Sequence, residues 1–292
     1  MYREVIMYRK ILFISSLLNS GVFCMEDFIP LVRSSSTRED KKAIIFDLNG
    51  VLIRTSIMQA ARHLGRAKIG AYFLLEGKTP HSLKELLYAV LNEYPLTNSL
   101  QLCDPYGDTL PAVFCDVFKG QCLETECYDD VKNVIIANRT RFSSEREYAL
   151  CLKVVDILFN PVILASMQKI KKMTLHILKE CREKGHEIFI VSNYGKESFE
   201  LLRDSLPELF DHVSPENIII SAHVQAVKPH KDIYEILHDR LAAKGIVPSP
   251  DTCFFVDDQQ ENIDGVNNHN IQGILFTNAK ELRKKLRSYN VL

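Results

Sequence analysis

Ala43-Ile44-Ile45-Phe46-Asp47-Leu48-Asn49-Gly50-Val51-Leu52-Ile53 is the stretch on which the fold turns. Ile44, Ile45 and Phe46 are β-favouring and apolar, with no polar alternation. That pattern marks a strand covered on both faces, as strands of a parallel sheet are. Asp47 then falls at the C-terminal end of the strand, with an Asn-Gly turn behind it. Open α/β sheets put their ligand crevice there, just outside the carboxyl ends of the strands. Taken alone, Asp-x-Asn-Gly is also an ordinary turn.

Three later apolar runs end in polar groups of their own. Glu187-Ile-Phe-Ile-Val leads into Ser192-Asn193, Ile218-Ile-Ile leads toward Val227-Lys228-Pro229, and Cys253-Phe-Phe-Val leads into Asp257-Asp258. Each run delivers its group to one edge of the same sheet. A carboxylate, a hydroxyl, a lysine and an acidic pair form the set needed for phosphoryl transfer through an aspartyl intermediate.

With these four stretches in this order, the chain resembles the haloacid dehalogenase (HAD) superfamily of phosphohydrolases. The matching segments are Phe46-Asp-Leu-Asn-Gly-Val-Leu, Ile190-Val-Ser-Asn, Val227-Lys-Pro-His-Lys-Asp-Ile-Tyr and Phe255-Val-Asp-Asp-Gln-Gln-Glu-Asn. The resemblance implies a three-layer, Rossmann-like α/β core with a mainly parallel sheet, carrying an inserted, mainly helical cap. On this expectation the core comprises 43–54 and 162–292 and the cap 55–161. The resemblance also assigns roles. Asp47 is the nucleophile and a magnesium ligand, the Asn49 backbone carbonyl is a second ligand, and Asp258 completes the site with Asp257 beside it. Ser192 and the backbone amides near Asn193 hold the phosphoryl oxygens, and Lys228 steadies the nucleophile and offsets the phosphate charge. Few, hard oxygen ligands suit Mg2+ better than zinc. The expected partner is a small phosphorylated molecule.

Composition excludes some classes. The chain has 292 residues, 46% of them apolar, enough for a sizeable core and for two domains. Its 36 basic and 37 acidic side chains balance, so there is no electrostatic footprint for nucleic acid. Eight cysteines are scattered without CxxC pairs, which argues against a zinc site. Cys122 and Cys127, the closest pair, could bridge in an oxidising compartment, but reduced or partly buried thiols are the expectation.

The N-terminus reads separately. Tyr8-Arg9-Lys10, the apolar Ile11 to Leu18 and the mostly small residues to Cys24 have the layout of a secretory signal over 1–24, followed by a polar linker over 25–42. This predicts export, with a cytoplasmic chain as the alternative. The apolar stretch is too short to span a bilayer as a stable helix.

Within the insertion, Ile57 to Phe73 carries helical spacing broken at Gly65, Ser82-Leu-Lys-Glu85 reads as a capping box opening a helix, and Ser143 to Val155 reads as another helix. Asp104 to Cys127 reads as loop. Beyond it, Leu164, Met167, Ile170, Leu175 and Leu178 suggest one long helix.

One residue departs from the family pattern. The phosphatases carry an Asp two positions after the nucleophile, which protonates the leaving group and later deprotonates water; here that position is Asn49. An amide cannot move that proton, and such assistance is worth about a hundred- to ten-thousandfold. The expectations are therefore a phosphohydrolase with an impaired or specialised acid-base step, or a HAD-fold protein that only binds a phosphorylated ligand or a protein partner.

Overall fold

The computed structural model describes residues 41–94, 100–104 and 107–292. The expected signal over 1–24, and its linker apart from the last two residues, lie outside the described residues. Five strands form one parallel sheet: β1 (Ala43–Phe46), β4 (Glu187–Ser192), β5 (Ile218–Ile220), β6 (Cys253–Asp257) and β7 (Gln272–Leu275). Their order is β5-β4-β1-β6-β7, with β1 at the centre. Two short strands, β2 (Ile53–Thr55) and β3 (Gln168–Ile170), pair antiparallel in a separate ribbon.

The reason β1 is central lies in its side chains. All four of its residues are fully buried, and alternate ones face opposite layers. Ile44 and Phe46 join Ile188, Ile190, Phe254 and Val256 in one apolar cluster, while Ala43 and Ile45 join Phe189, Val191, Cys253 and Phe255 in another. A strand with two apolar faces has to lie between two layers of helices. The chain leaves β1 toward β4 and β5 on one side and then returns to β6 and β7 on the other. That reversal opens a crevice at the carboxyl end of β1.

The helices between β2 and β3 build an apolar cluster of their own, centred on Tyr72, Leu87, Phe114, Val131, Cys151 and Phe159. Here the structure corrects several expectations. The helix expected to open at Ser82 runs Pro80–Leu91, with Thr79 as its cap and Ser82 returning the bond, because Pro80 suits the first helical position. The expected loop over Asp104 to Cys127 contains the helix Ala112–Phe118, and Glu124–Ala137 starts inside it. The long helix expected from Leu164 is really Pro161–Met167, then β3, then Lys172–Glu183. Gln168 to Ile170 extend because they pair with Ile53 to Thr55, more than a hundred residues earlier. Against the expectation of reduced thiols, Cys122 and Cys127, five residues apart around the start of the helix Glu124–Ala137, are joined as a disulfide. Among the described residues no single helix is long and apolar enough to cross a membrane.

One buried acid ties the insertion to the sheet layer, beside the apolar contact of Leu102 and Cys115 with Val227. Glu124, 2% exposed, opens the helix Glu124–Ala137 and accepts hydrogen bonds from the backbone N–H groups of Glu197 (3.1 Å) and Ser198 (3.0 Å). Those are orphan donors of the first turn of Lys196–Ser205, the helix that follows the Ser192-Asn193 strand end. Glu197 answers by accepting from the Thr125 N–H at 2.8 Å and the Thr125 hydroxyl at 2.7 Å. Gly195 is required for this approach, since a Cβ there would overlap the Glu124 carboxylate. Removing the acceptor in Glu124→Ala should cost about 2 kcal/mol of unfolding free energy, because two donors lose their charged partner. Urea unfolding checks this as a lower midpoint at constant slope.

Candidate active site

Four strand ends meet in the crevice. Asp47 follows β1, Ser192 ends β4, Asp257 ends β6 with Asp258 next to it, and Lys228 arrives from the loop after β5. Sequence reasoning named all of these, and the structure brings them together. The Lys228 ammonium, 2% exposed, donates to Asp47 Oδ1 at 2.8 Å and to Asp257 Oδ2 at 2.6 Å. The Ser192 hydroxyl donates to the same Asp47 Oδ1 at 2.8 Å. Asp257 Oδ1 accepts from the Gln259 N–H at 2.9 Å and from Asn262 Nδ2 at 3.0 Å. Asp257 is thus engaged at both oxygens, Oδ2 with Lys228 and Oδ1 with Gln259 and Asn262. Asp258 and Asp47 Oδ2 accept no hydrogen bond among the described residues, so they are the oxygens free for a ligand.

The Asn193 side chain has a role of its own, apart from the backbone amides expected to meet phosphate. Its Nδ2 donates to the Lys228 carbonyl at 2.9 Å, and its Oδ1 accepts from the Lys228 N–H at 2.9 Å. The side chain is closed on the Lys228 main chain because that loop needs both partners, which leaves only the Asn193 backbone for a ligand. Asn49 is exposed at the mouth. The turn behind Asp47 is closed by Gly50 N–H to the Ile53 carbonyl (3.0 Å) and Ile53 N–H to the Leu48 carbonyl (2.8 Å), which leaves the Asn49 carbonyl unused among the described residues.

Gly50 has φ +83°, and a Cβ there would overlap the Asp258 carboxylate, so both conformation and space demand glycine.

Sequence reasoning missed two residues. Asn262 anchors Asp257 from the first turn of Gln260–Asn267. Its signal was present as the last residue of the Phe255 to Asn262 stretch. Lys171, which falls within the long helix expected from Leu164, donates instead to the Gly50 carbonyl from just past β3. Only the non-local β2–β3 pairing puts it there.

The electrostatics fit a divalent cation. Oxygens of Asp47, Asp257 and Asp258 lie within 4.8 Å of one another. Burial first, and then the charges of Asp47 and Asp257, push Asp258 up to about 7 despite Lys228 and Lys171. Burial also pushes Asp47 up to about 6, with Lys228 opposing and Asp257 adding to the rise. Burial alone would lower Lys228, but Asp257 and Asp47 outweigh it and hold the ammonium above its ordinary value. Three carboxylates thus carry more negative charge than the resident lysines offset, and their hard oxygens suit magnesium.

A pH dependence follows. Asp47 and Asp258 titrate higher in the fold than the roughly 3.9 of an unfolded aspartate, so the folded state holds extra protons between about pH 4 and 7. Stability of the metal-free protein should therefore fall as pH rises through that window. Metal-free Asp258→Asn should melt above the wild type at pH 8 and level with it at pH 4, and thermal unfolding at both pH values checks the sign.

A family profile described as haloacid dehalogenase-like hydrolase matches residues 41–270. The chain belongs to this family. The HAD-like fold is independently recognisable in solved structures. A HAD family enzyme of Bacteroides thetaiotaomicron, solved as a variant in complex with magnesium and inorganic phosphate, is 18% identical with a TM-score of 0.50, over 81% of this chain and 94% of that one. A structure described as a dehalogenase is 15% identical with a TM-score of 0.51, over 86% of this chain and 99% of that one. At these identities the likeness concerns the HAD-like fold.

Proposed function

We propose that the chain is a magnesium-dependent phosphohydrolase that acts on a small phosphorylated substrate through an aspartyl phosphate on Asp47. The observation that carries this reading is the asymmetry of the Asp47 carboxylate. Oδ1 accepts from both Ser192 and Lys228, and Oδ2 accepts nothing among the described residues. One oxygen is held while the other is left to react.

Asp47 Oδ2 attacks phosphorus, the P–O bond to the alcohol breaks, and the alkoxide leaves with the bonding pair. Water then attacks the same phosphorus and gives its proton to solvent, the P–O bond to Asp47 breaks, and phosphate leaves with the carboxylate restored. Lys228 keeps Asp47 in line and spreads positive charge over the site, and Asp257 keeps Lys228 in line. Ser192 and the Asn193 backbone are positioned to meet the phosphoryl oxygens. Asp47, Asp258 and the Asn49 carbonyl are the groups that would hold magnesium, with Asp257, expected among the ligands but engaged at both oxygens, beside them; the ion would supply charge neutralisation between the carboxylate and the phosphate oxygens. The Bacteroides enzyme solved with magnesium and phosphate is an analogy in support. The helical insertion serves in this reading as the cap that covers the crevice and selects the substrate.

Asn49 favours a second reading, a protein that keeps the fold and the metal but only binds a phosphorylated ligand or a partner protein. A screen of the purified chain against phosphorylated metabolites separates the two. We expect turnover that disappears with a chelator and returns with magnesium, whereas saturable binding without turnover would favour the second reading.

Export through the N-terminal segment is part of the proposal. The basic and apolar layout of residues 8–18 supports it, as does the paired Cys122 and Cys127. The native chain should begin near Met25 by mass analysis; a chain retaining its first residues would refute it.

A further inference from the structure

The ribbon that joins the insertion to the core has an unusual outer face. In the β2–β3 register Arg54 lies directly opposite Lys169, with Ile53 opposite Ile170 and Thr55 opposite Gln168 on the other face. Arg54 and Lys169 are both exposed. Two like charges directly across an antiparallel pair are unfavourable. Among the described residues, neither Arg54 nor Lys169 has an ion-pair partner to relieve the repulsion. Lys171, two residues beyond Lys169 and still extended, adds a third cation. Its N–H donates to the Leu52 carbonyl at 2.8 Å, so the pairing carries it past the end of the ribbon and into the crevice. There its ammonium sits on the Gly50 carbonyl, and Gly50 itself packs against the Asp258 carboxylate. Burial holds Lys171 below the ordinary lysine value, Asp258 and Asp47 draw it the other way, and Arg54 repels it. The three cations thus form a line from solvent to the acids of the site.

A solvated strand face would carry mixed charges or acids to match. A run of cations leading into the reaction centre, whose two outer members Arg54 and Lys169 have no ion-pair partner among the described residues, is complementary to an anion that arrives with the substrate. Resting on the phosphohydrolase reading above, we propose that this face takes the second anionic group of a doubly anionic substrate, a phosphate monoester that also carries a carboxylate or another phosphate. The phosphoryl group to be transferred lies at Asp47, and the second anion lies on Arg54 and Lys169 with Lys171 between. Specificity would then be written partly in the ribbon rather than only in the helical insertion.

The test uses the full chain with magnesium and two matched probes, 3-phosphoglycerate and glycerol 3-phosphate, which share the phosphate monoester and differ in a carboxylate against a hydroxymethyl group. The wild type should prefer 3-phosphoglycerate by about tenfold in kcat/KM, and the preference should shrink as salt is raised. Arg54→Gln with Lys169→Gln should erase it, acting through KM, and Arg54→Lys with Lys169→Arg should restore it. A preference that survives in the Gln pair, or no preference in the wild type, would overturn the proposal. Calorimetric binding of the same two probes separates the levels of inference. A binding preference lost in the Gln pair, with no turnover of these probes or of any metabolite in the screen described above, keeps the anion site and removes the phosphohydrolase reading. Equal binding of both probes removes the anion site itself.

Discussion

Asp47→Asn is expected to lower turnover of phosphate monoesters by at least about ten-thousandfold while the chain still folds, because removing a nucleophile removes the covalent route altogether. The amide is nearly isosteric, and its oxygen still accepts from Ser192 and Lys228, which hold the carboxylate at 2.8 Å each. What is lost is the oxygen able to form a bond to phosphorus. Far-UV circular dichroism and the melting temperature control for folding. Because burial raises the Asp47 carboxyl to about 6, its charge opposes folding in the metal-free protein at higher pH. The variant should therefore be no less stable than the wild type at pH 8. Residual activity within about tenfold of wild type would remove Asp47 from the chemistry.

Asn49→Asp should act in the opposite direction. A carboxyl at this position can give a proton to a leaving alkoxide, and such assistance is worth about a hundred- to ten-thousandfold. The gain should be largest for alkyl phosphates, whose leaving groups are strongly basic, and less than about tenfold for aryl phosphates, whose phenols need little protonation. Asn49 is exposed, and the turn bonds run through the Leu48 carbonyl and the Gly50 N–H, so the substitution leaves the backbone in place. Kinetics on a leaving-group series for both variants is the measurement. A uniform gain would point to metal affinity or charge, and no gain would favour the binding-only reading. The same missing carboxylate affects the second half of the reaction, because water attacking the aspartyl phosphate also lacks a base. With an aryl phosphate the wild type should release phenol in a burst and phosphate slowly.

The central sheet was legible because burial on both faces leaves a continuous apolar signature. Ile44 to Phe46, Glu187 to Val191 and Cys253 to Val256 are contiguous runs, and a polar group that breaks such a run marks the strand end. Asp47, Ser192, Asp257 and Asp258 could be named for that reason, and Lys228, in the loop beyond β5, by the motif Val227 to Tyr234 that carries it. Contacts set by distant pairing were not legible. Gln168 to Lys171 carry helical spacing, yet the chain extends there because Ile53 to Thr55 supply a partner strand. Lys171 was consequently missed as a cation of the site. Glu124 looked like one acid in a loop-rich stretch. Its burial depends on the open N-terminus of Lys196–Ser205, which no local pattern reports. Asn193 sat in the right motif, but the two bonds that tie it to Lys228 depend on the loop geometry after β5.

Trapping the intermediate tests the central claim most directly. The full chain is mixed with magnesium and an aryl phosphate, quenched in acid during turnover, digested, and analysed by mass. The account predicts a phosphoryl group on the peptide that carries Asp47, assigned to Asp47 by fragmentation, absent in Asp47→Asn, and accumulating because breakdown lacks a general base. Turnover with Asp47 unmodified at every quench time, or with the phosphoryl group on another residue, would contradict it.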